Sequence, residues 1–556
     1  MTRPTRYTQE MFDEYFANGM WTQDTTSGLW AKNAAQFPDK EAFIDQERRF
    51  TWRQLEDLSD TLAWNLIELG LQREEFIFIL LPNWVESYIM RCACEKAGIL
   101  CGTALMTLRE REIEFILQSC DAVGMVVPDR FRSFNFCEAL GEMRPRLPRL
   151  RHLFHVGPAT PAGALSVQEM MERPGKLRGR QDLFEERRYR PTEVSVIGFT
   201  SGTTGLPKGA EHIVAGRMAM ARGYGEPARV CEQDIVLNII SPVAGLASAF
   251  CFNGTATLVG AKVVLSDIWS PEETFRLIQE EKASILLAVP AQLAQIVNSP
   301  RRHDFDCSSL RAIYTSTAPL TYELATKVEE LFKAPCINLY GQIDGGFIAA
   351  PSIDDPPEVR RGTLGRPHRF TKVWVLDDDG NQVAAGEKGE LVYTGPSTGG
   401  GYYRNLEATL QVWGVLGPEG RCHSGDLVRV DPQGNLIMVG RKKDMIIRGG
   451  QNIYPAEIEA LLLTHPQVQA VAIVSMPDPV MGEKACAYVQ PMPGQSFSFK
   501  EMISFLKSKK IAPYKLPERL EIRQELPLKG RQKINKGPLQ EDIRELLRQE
   551  GRLQSS

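Results

Sequence analysis

Thr200-Ser201-Gly202-Thr203-Thr204-Gly205-Leu206-Pro207-Lys208-Gly209 is the stretch on which the reading of this chain turns. Hydroxyl side chains, three glycines and one lysine share a loop that has almost nothing to bury. The preceding Val194-Ser195-Val196-Ile197-Gly198-Phe199 reads as a short buried strand. The loop therefore leaves a strand end, where α/β proteins tend to hold ligands. Glycine supplies backbone freedom and close approach, the hydroxyls donate hydrogen bonds, and Lys208 brings a point charge. Together they suit a polyanion such as a nucleotide triphosphate. The run is not a Walker loop, because Lys208 follows Pro207 rather than glycine and no Ser or Thr follows it.

Length and composition set the frame. At 556 residues the chain exceeds one comfortable core and is expected to split into two or more domains. With 43% hydrophobic and 24% charged residues it reads as an ordinary globular protein. A net charge of -4 argues against a nucleic-acid partner. Met1 to Tyr7 opens no apolar signal segment and no stretch approaches a membrane span, so a cytoplasmic protein is expected. The 11 cysteines are scattered, only Cys92 and Cys94 lying close together, and read as reduced structural thiols; the 7 histidines show no metal-ligand clustering.

Patterning gives the architecture. Trp52 to Leu69 is amphipathic at helical spacing, and Phe76 to Leu81 is a buried strand ended by Pro82-Asn83. Gly124 to Pro128, Ala261 to Leu265 and Ser284 to Val289 are further strands, with helical patterns between, which implies a mostly parallel layered sheet. Between Val373 and Val439 short strands broken by Asp-Gly and Gly-rich turns suggest a small β-rich subdomain. From about Asp444 to Gln540 a separate helix and strand pattern reads as a small α+β unit. The expected fold class is α/β, with a large layered N-terminal domain over residues 1–442 and a small C-terminal domain over 443–556.

The ten-residue run resembles the phosphate loop of the adenylate-forming superfamily, which holds acyl- and aryl-CoA ligases, luciferases and adenylation domains. The resemblance extends from Trp21 to Lys536, with further motifs in the family's order. It implies that Thr200, Ser201, Gly202, Thr203, Thr204 and Lys208 wrap the ATP phosphates. Asn338-Leu339-Tyr340-Gly341-Gln342-Ile343-Asp344 stands where the family has Tyr-Gly-x-Thr-Glu. That match implies that Tyr340 stacks on adenine and that Asp344 helps hold Mg²⁺. Ile343 lacks the family's hydroxyl, and Asp344 is one methylene shorter than Glu but can still bind a hard cation.

Gly425-Asp426-Leu427 resembles the family's Gly-Asp-Leu and implies Asp426 on the ribose hydroxyls. Gly440-Arg441-Lys442-Lys443-Asp444, with Met445 to Glu459 after it, resembles the family's hinge. Arg441 would then contact ribose or phosphate, and Lys443 would be the pivot about which the mobile small domain rotates. Leu526 to Lys536 resembles the terminal Pro-x-Thr-x-x-Gly-Lys-Ile-x-Lys, with Lys529 for Thr and Gln532 for Gly, and makes Lys533 the catalytic lysine. One flexible cation entering a closing site suits charge that grows in a transition state. Gly389-Glu390-Leu391 and Gly401-Tyr402-Tyr403 match a structural segment and receive no chemistry.

In the family the acid lies between a His-containing loop and a Gly-Gly-Ala-Pro-Leu loop. Ser241 stands at the His or aromatic position, and Ser316 and Thr317 stand where the two glycines lie. With Gly341 these are the expected acid-pocket residues, and side chains in place of glycines predict a compact pocket. The N-terminal third, through Tyr15–Trp21, Ala104–Glu110 and Val126–Asp129, looks most like aryl-acid and cyclic-acid ligases. The resemblance implies an AMP-forming acid–thiol ligase that uses ATP, Mg²⁺ and CoA on a small aromatic or cyclic carboxylic acid. An alternative loads the phosphopantetheine thiol of an acyl carrier protein. A third, of another class, is an inactive nucleotide-binding member, against which Lys208, Asp426, Arg441 and Lys533 weigh. A luciferase-like side activity and a homodimer stay open.

Overall fold

The computed structural model describes residues 4–104, 106, 108–131, 134–200, 207–240, 254–267, 269–318, 320–449, 451–509, 511–529 and 533–553, with the backbone alone at Thr200, Asn452, Lys529 and Lys533. The strands that flank the glycine-rich run, Val194–Thr200 and Lys208–Ile213, pair antiparallel with Thr200 opposite Lys208. Lys208 thus starts the strand that returns alongside Val194–Thr200. Val194–Thr200 also pairs parallel with Leu100–Thr103, and the sheet continues through Phe76–Ile79, Gly124–Pro128, His152–Val156 and Leu165–Ser166. A second seven-stranded sheet runs Cys336–Asn338, Ala312–Thr315, Ile285–Leu287, Ile235–Asn238, Lys262–Leu265, Glu41–Asp45 and Arg48–Thr51. Only its last pair is antiparallel. Strands such as Phe76–Ile79 and Ile285–Leu287 are buried throughout, as parallel strands covered on both faces must be.

Two helices show how sequence sets this layering. Trp52–Glu68 starts at a capping box, in which Thr51 and Gln54 satisfy each other's free backbone N–H groups. Val85–Ala97 is buried over all 13 residues, charged ones included. Buried charge is tolerated only when paired, and Lys96 Nζ lies 2.9 Å from Glu56 and 2.6 Å from Asp60 of the neighbouring helix. Gly98 ends that helix at φ 70°, where a Cβ would meet the Arg187 carbonyl oxygen at 2.3 Å, so only glycine fits.

The β-rich subdomain is a four-stranded antiparallel sheet of Lys372–Leu376, Gly389–Thr394, Cys422–Val430 and Leu436–Arg441. A short 3-10 turn, Lys442–Asp444, leads from it into the C-terminal unit. There Gln451–Ile453, Ile446–Arg448, Gly482–Pro491 and Val468–Asp478 form an antiparallel sheet, and Arg519–Ile522 adds parallel to Gly482–Pro491. Helices Pro455–Leu462, Phe499–Ser508 and Lys536–Gln549 close over hydrophobic clusters of this unit's own, built on Ile473 and Val474. The large layered α/β domain and the small α+β domain agree with the patterning.

Candidate active site

The network around Asp426 is set by strand register. Asp426 faces Arg441 across the Cys422–Val430 and Leu436–Arg441 strands, which places Arg441 Nε 2.7 Å from Asp426 Oδ1. Tyr340 Oη donates to Asp426 Oδ2 at 2.7 Å, and Gln342 Nε2 donates to the same oxygen at 3.1 Å and to the Ser424 carbonyl at 3.0 Å. Tyr393 Oη in turn donates to Gln342 Oε1 at 3.1 Å. Asp426 is 2% exposed. Its Oδ1 is buried beside the Arg441 guanidinium, and since a carboxylate oxygen carries two acceptor lone pairs it keeps acceptor capacity in a dry setting. Burial, and then the charge of Asp426, hold the Tyr340 hydroxyl well above the usual phenol range, so it stays a donor.

A second cluster sits at the turn of the next hairpin. Tyr340–Gln342 pairs with Gly346–Ala350, and the connection carries Ile343 and Asp344. Tyr402 Oη donates to Asp344 Oδ2, and Lys208 Nζ lies 5.2 Å from the centre of the Tyr402 ring. Backbone bonds fix this arrangement: Gly399 N to Asp344 O at 2.9 Å, Glu211 N to Gly401 O at 2.9 Å and Tyr403 N to Gly209 O at 2.8 Å. Gly401 has φ 124° and a Cβ there would meet Thr5 Cβ at 2.9 Å, which accounts for the glycine before Tyr402.

Tyr402 was assigned only a structural segment from sequence. The signal that points to it is the Gly399-Gly400-Gly401-Tyr402 run, glycines that let a backbone approach closely and deliver one ring. Behind this loop the N-terminal segment is docked by Arg6 Nε donating to Gly399 O at 2.8 Å and Tyr7 Oη to Thr398 O at 2.7 Å. Thr5 donates from N and Oγ1 to the Glu211 carboxylate at 2.7 and 2.8 Å. Burial nevertheless pushes the Glu211 carboxyl up to about 7.

The structure brings Lys208, Tyr340, Asp344, Asp426 and Arg441 into these two linked clusters. Ser316 and Thr317 follow the Ala312–Thr315 strand, which pairs with Cys336–Asn338 through Thr315 and Asn338, so they lie beside Tyr340 and Gly341 at the same sheet end. Ser316 is half-buried and Thr317 exposed, at φ 78°. Gly341 is closed in by the Gly346 carbonyl, which a Cβ would meet at 2.5 Å. Lys443 is exposed on the 3-10 turn between the domains. Lys533 lies on the strand Lys533–Ile534, opposite Lys529 in the hairpin with Leu528–Lys529. Ser201, Gly202, Thr203, Thr204 and Ser241 lie outside the described residues, as does the side chain of Thr200.

One grouping departs from the expectation that no histidine joins a potential metal-ligand cluster. Ligand atoms of Asp129, Cys137 and His155 lie within 4.8 Å of one another, because parallel pairing of Val127 with His155 gathers residues far apart in sequence. His155 Nε2 is 2.6 Å from Asp129 Oδ1 in a direct hydrogen bond. Among the described residues no helix is long and apolar enough to cross a membrane.

A parallel α/β domain with a carboxylate-centred network beside a strand that opens with Lys208 after a glycine-rich run defines a nucleotide-handling enzyme class. The sequence matches the AMP-binding enzyme family over residues 30–403 and the AMP-binding enzyme C-terminal domain over 457–533, and the chain belongs to this family. The family activates carboxylates as acyl-adenylates. The chain is 31% identical over 548 residues to a salicylyl-CoA synthase / salicylate adenylyltransferase of a Streptomyces species, covering 96% of this chain and 97% of that one. It is 29% identical over 540 residues to the medium-chain fatty-acid–CoA ligase of Escherichia coli (strain K12), with 96% and 93% covered. The crystal structure of the anthranilate CoA ligase AuaEII with anthranoyl-AMP superposes with a TM-score of 0.85 at 24% identity, over 95% of this chain and 98% of that one, which shows the shared fold.

Proposed function

We propose that this chain is an AMP-forming acid–thiol ligase. A carboxylate oxygen attacks the α-phosphorus of ATP, the bond to the β-phosphate breaks, and pyrophosphate leaves with the electron pair. A thiol sulfur then attacks the acyl carbon, AMP departs, and the thiol proton passes to solvent. The observation that carries this reading is Asp426, buried with Oδ2 held by Tyr340 and Gln342 and Oδ1 beside Arg441, an acceptor that suits a ribose hydroxyl. Arg441, already held against Asp426, is in reach of ribose or phosphate oxygen in the same place.

The other roles follow from position. Lys208 and the glycine-rich run cradle the triphosphate, and Tyr340 offers its ring to adenine. The Asp344 carboxylate, with Oδ2 held by Tyr402, suits a hard cation through its remaining oxygen, and Mg²⁺ bound there would neutralise phosphate charge. Lys533 supplies a cation as charge grows between carboxylate and α-phosphate. The large domain spans 1–442, and the small domain, 443–556, rotates about Lys443 to bring the thiol in for the second step. CoA is the acceptor in this reading, and the acid is small and aromatic or cyclic, as the names of several relatives support.

A screen of acid-dependent pyrophosphate release over benzoates, hydroxybenzoates, alicyclic acids and fatty acids tests this, with CoA present or absent and products read by mass. An acyl-AMP that converts to acyl-CoA is expected. An acyl-AMP that reacts only with a phosphopantetheinylated carrier protein assigns the other acceptor. No acyl-AMP from any acid overturns the activity.

A further inference from the structure

Asp129, Cys137 and His155 form the one group among the described residues in which three His, Cys, Asp or Glu side chains each bring a ligand atom within 4.8 Å of the others. The fold builds it. Val127 pairs with His155 in the parallel strands Gly124–Pro128 and His152–Val156, and side chains repeat every second residue, so Asp129 continues the face on which His155 stands. Antiparallel pairing of Arg130–Phe131 with Phe134–Asn135 returns the chain, and Phe136 N donates to the Asp129 carbonyl at 3.1 Å. Asn135 caps the helix Phe136–Met143 by accepting from Glu138 N at 3.2 Å, which sets Cys137 in the first turn beside Asp129. Phe136, Ala139 and Leu140 share a hydrophobic cluster with Met125 and Val127, and Leu153 packs against it. Core packing therefore holds the three elements in place without help from the ligand atoms.

The donor set is chemically selective. One thiol, one imidazole and one carboxylate suit an ion of the zinc type, whereas Mg²⁺ takes oxygen. His155 is 1% exposed, and its Nε2 stands 2.6 Å from Asp129 Oδ1, the spacing of a shared proton. Ligand atoms around zinc sit roughly 3.3–3.6 Å apart, which a small swing of Asp129 provides. The Asp129 side chain is 42% exposed, so it has room to move and opens a path from solvent. A second observation concerns Gly157, two residues beyond His155. Its φ lies outside the left-handed region, so the backbone does not require glycine there. Yet a Cβ would stand 2.8 Å from His155 Cε1, 3.0 Å from His155 Nε2 and 3.2 Å from Asp129 Oδ2. Glycine keeps clear the atoms that an ion would meet.

We propose that Asp129, Cys137 and His155 bind a divalent ion of the zinc type, with water in the fourth position. The ion takes the place of the proton between His155 Nε2 and Asp129 Oδ1. The imidazole keeps one proton, on Nδ1, and the Cys137 thiol gives its own to solvent. Thiolate and carboxylate together cancel the charge of the ion. The site lies at the carboxyl ends of strands in the sheet that also carries Val194–Thr200, with Phe76–Ile79 and Leu100–Thr103 between them. Three strand spacings, roughly 14 Å, therefore separate it from the glycine-rich run. Its ion fastens the helix Phe136–Met143 to the sheet and takes no part in holding phosphates.

The test uses the full chain, stripped with a chelator and kept reduced, without acid or nucleotide, so its outcome is independent of the acid-activating reading. Equilibrium dialysis against Zn²⁺ in excess Mg²⁺ is expected to leave one Zn²⁺ per chain. Co²⁺ as a probe should give tetrahedral visible bands and a sulfur-to-metal absorption. Cys137→Ser should abolish the sulfur absorption, and Asp129→Asn should weaken Zn²⁺ binding at least tenfold, with folding of both checked by thermal unfolding in the absence of metal. Cys231→Ser, which removes an exposed thiol elsewhere, should change neither. In the wild type, Zn²⁺ should slow alkylation of Cys137 at least tenfold by peptide mass mapping, a readout that needs no variant. No bound Zn²⁺, a Cys137 that Zn²⁺ leaves unprotected, or binding that folded Cys137→Ser and Asp129→Asn retain in full overturns the inference.

Discussion

Removing one oxygen from Tyr402 separates the holding of Asp344 from everything else the ring does. Tyr402→Phe keeps the packing against Trp413, whose ring centre lies 5.4 Å away, and keeps the ring under Lys208 Nζ at 5.2 Å. What is lost is the hydrogen bond to Asp344 Oδ2, and hydrogen bonds to charged groups are worth about 1.5–3 kcal/mol. Two effects then compete. The freed oxygen could add a ligand atom for Mg²⁺, but the carboxylate, only half-buried, also gains freedom to turn towards water. Loss of a partner that orients a ligand typically costs 10–100-fold in metal affinity, and we expect orientation to win. The Mg²⁺ needed for half-maximal acid-dependent pyrophosphate release should therefore rise roughly 10–100-fold, or about 1.4–2.8 kcal/mol, with KM for ATP at saturating Mg²⁺ close to wild type. Asp344→Asn should be more severe. An unchanged Mg²⁺ requirement in both variants would refute the assignment of Asp344, and an unchanged one in Tyr402→Phe alone would refute the role of the hydroxyl.

Lys533→Ala is expected to slow acyl-AMP formation by roughly 10²–10³ while a supplied acyl-AMP is still converted to thioester, by analogy with the loss of a single transition-state donor. Equal loss in both half-reactions, measured by quenched-flow, would remove Lys533 from the first step. Thr317→Gly relieves a β-branched residue at φ 78°, a conformation that costs about 1–3 kcal/mol, so the thermal midpoint should rise; a fall would show that the loop needs the Thr side chain. Glu211 titrates near 7 in the fold against 4.5 as its ordinary value, so the folded state binds more protons between those limits and stability falls as pH rises from 4.5 to 7. Glu211→Gln should flatten that decline, worth about 3 kcal/mol at most, and parallel pH–stability curves for the two proteins would count against a raised Glu211.

The layered fold was legible because its signals are local. Phe76–Ile79 and Ile285–Leu287 are continuous apolar runs of strand length, and Trp52–Glu68 announces itself by period and by Thr51 and Gln54. The strand before the glycine-rich run was legible, but its antiparallel pairing with Lys208–Ile213 was not, because that return strand carries polar residues and no clear apolar alternation. Motif spacing marked Tyr340, Asp344, Asp426 and Arg441, yet it did not show that Tyr340 and Gln342 would saturate one oxygen of Asp426. Those contacts span 86 and 84 residues and depend on how one hairpin meets a separate sheet. Tyr402 escaped for the same reason.

The acid site shows the limit most clearly. Sequence directed attention to Ser241, Ser316 and Thr317 because the resemblance puts the acid between two loops in which they replace residues expected in the family. Buried charge sets a second limit, because the elements that carry it look in sequence like ordinary amphipathic helices and strands. In Val85–Ala97 the charged residues Arg91, Glu95 and Lys96 suggest a solvated face, and only the folded packing, with helix Trp52–Glu68 bringing Glu56 and Asp60 to Lys96, shows that face buried. A buried charged or polar side chain is destabilising unless something answers it. Glu56 and Asp60 answer Lys96, and Glu95 and Ser195 answer Arg217, through contacts within the chain itself.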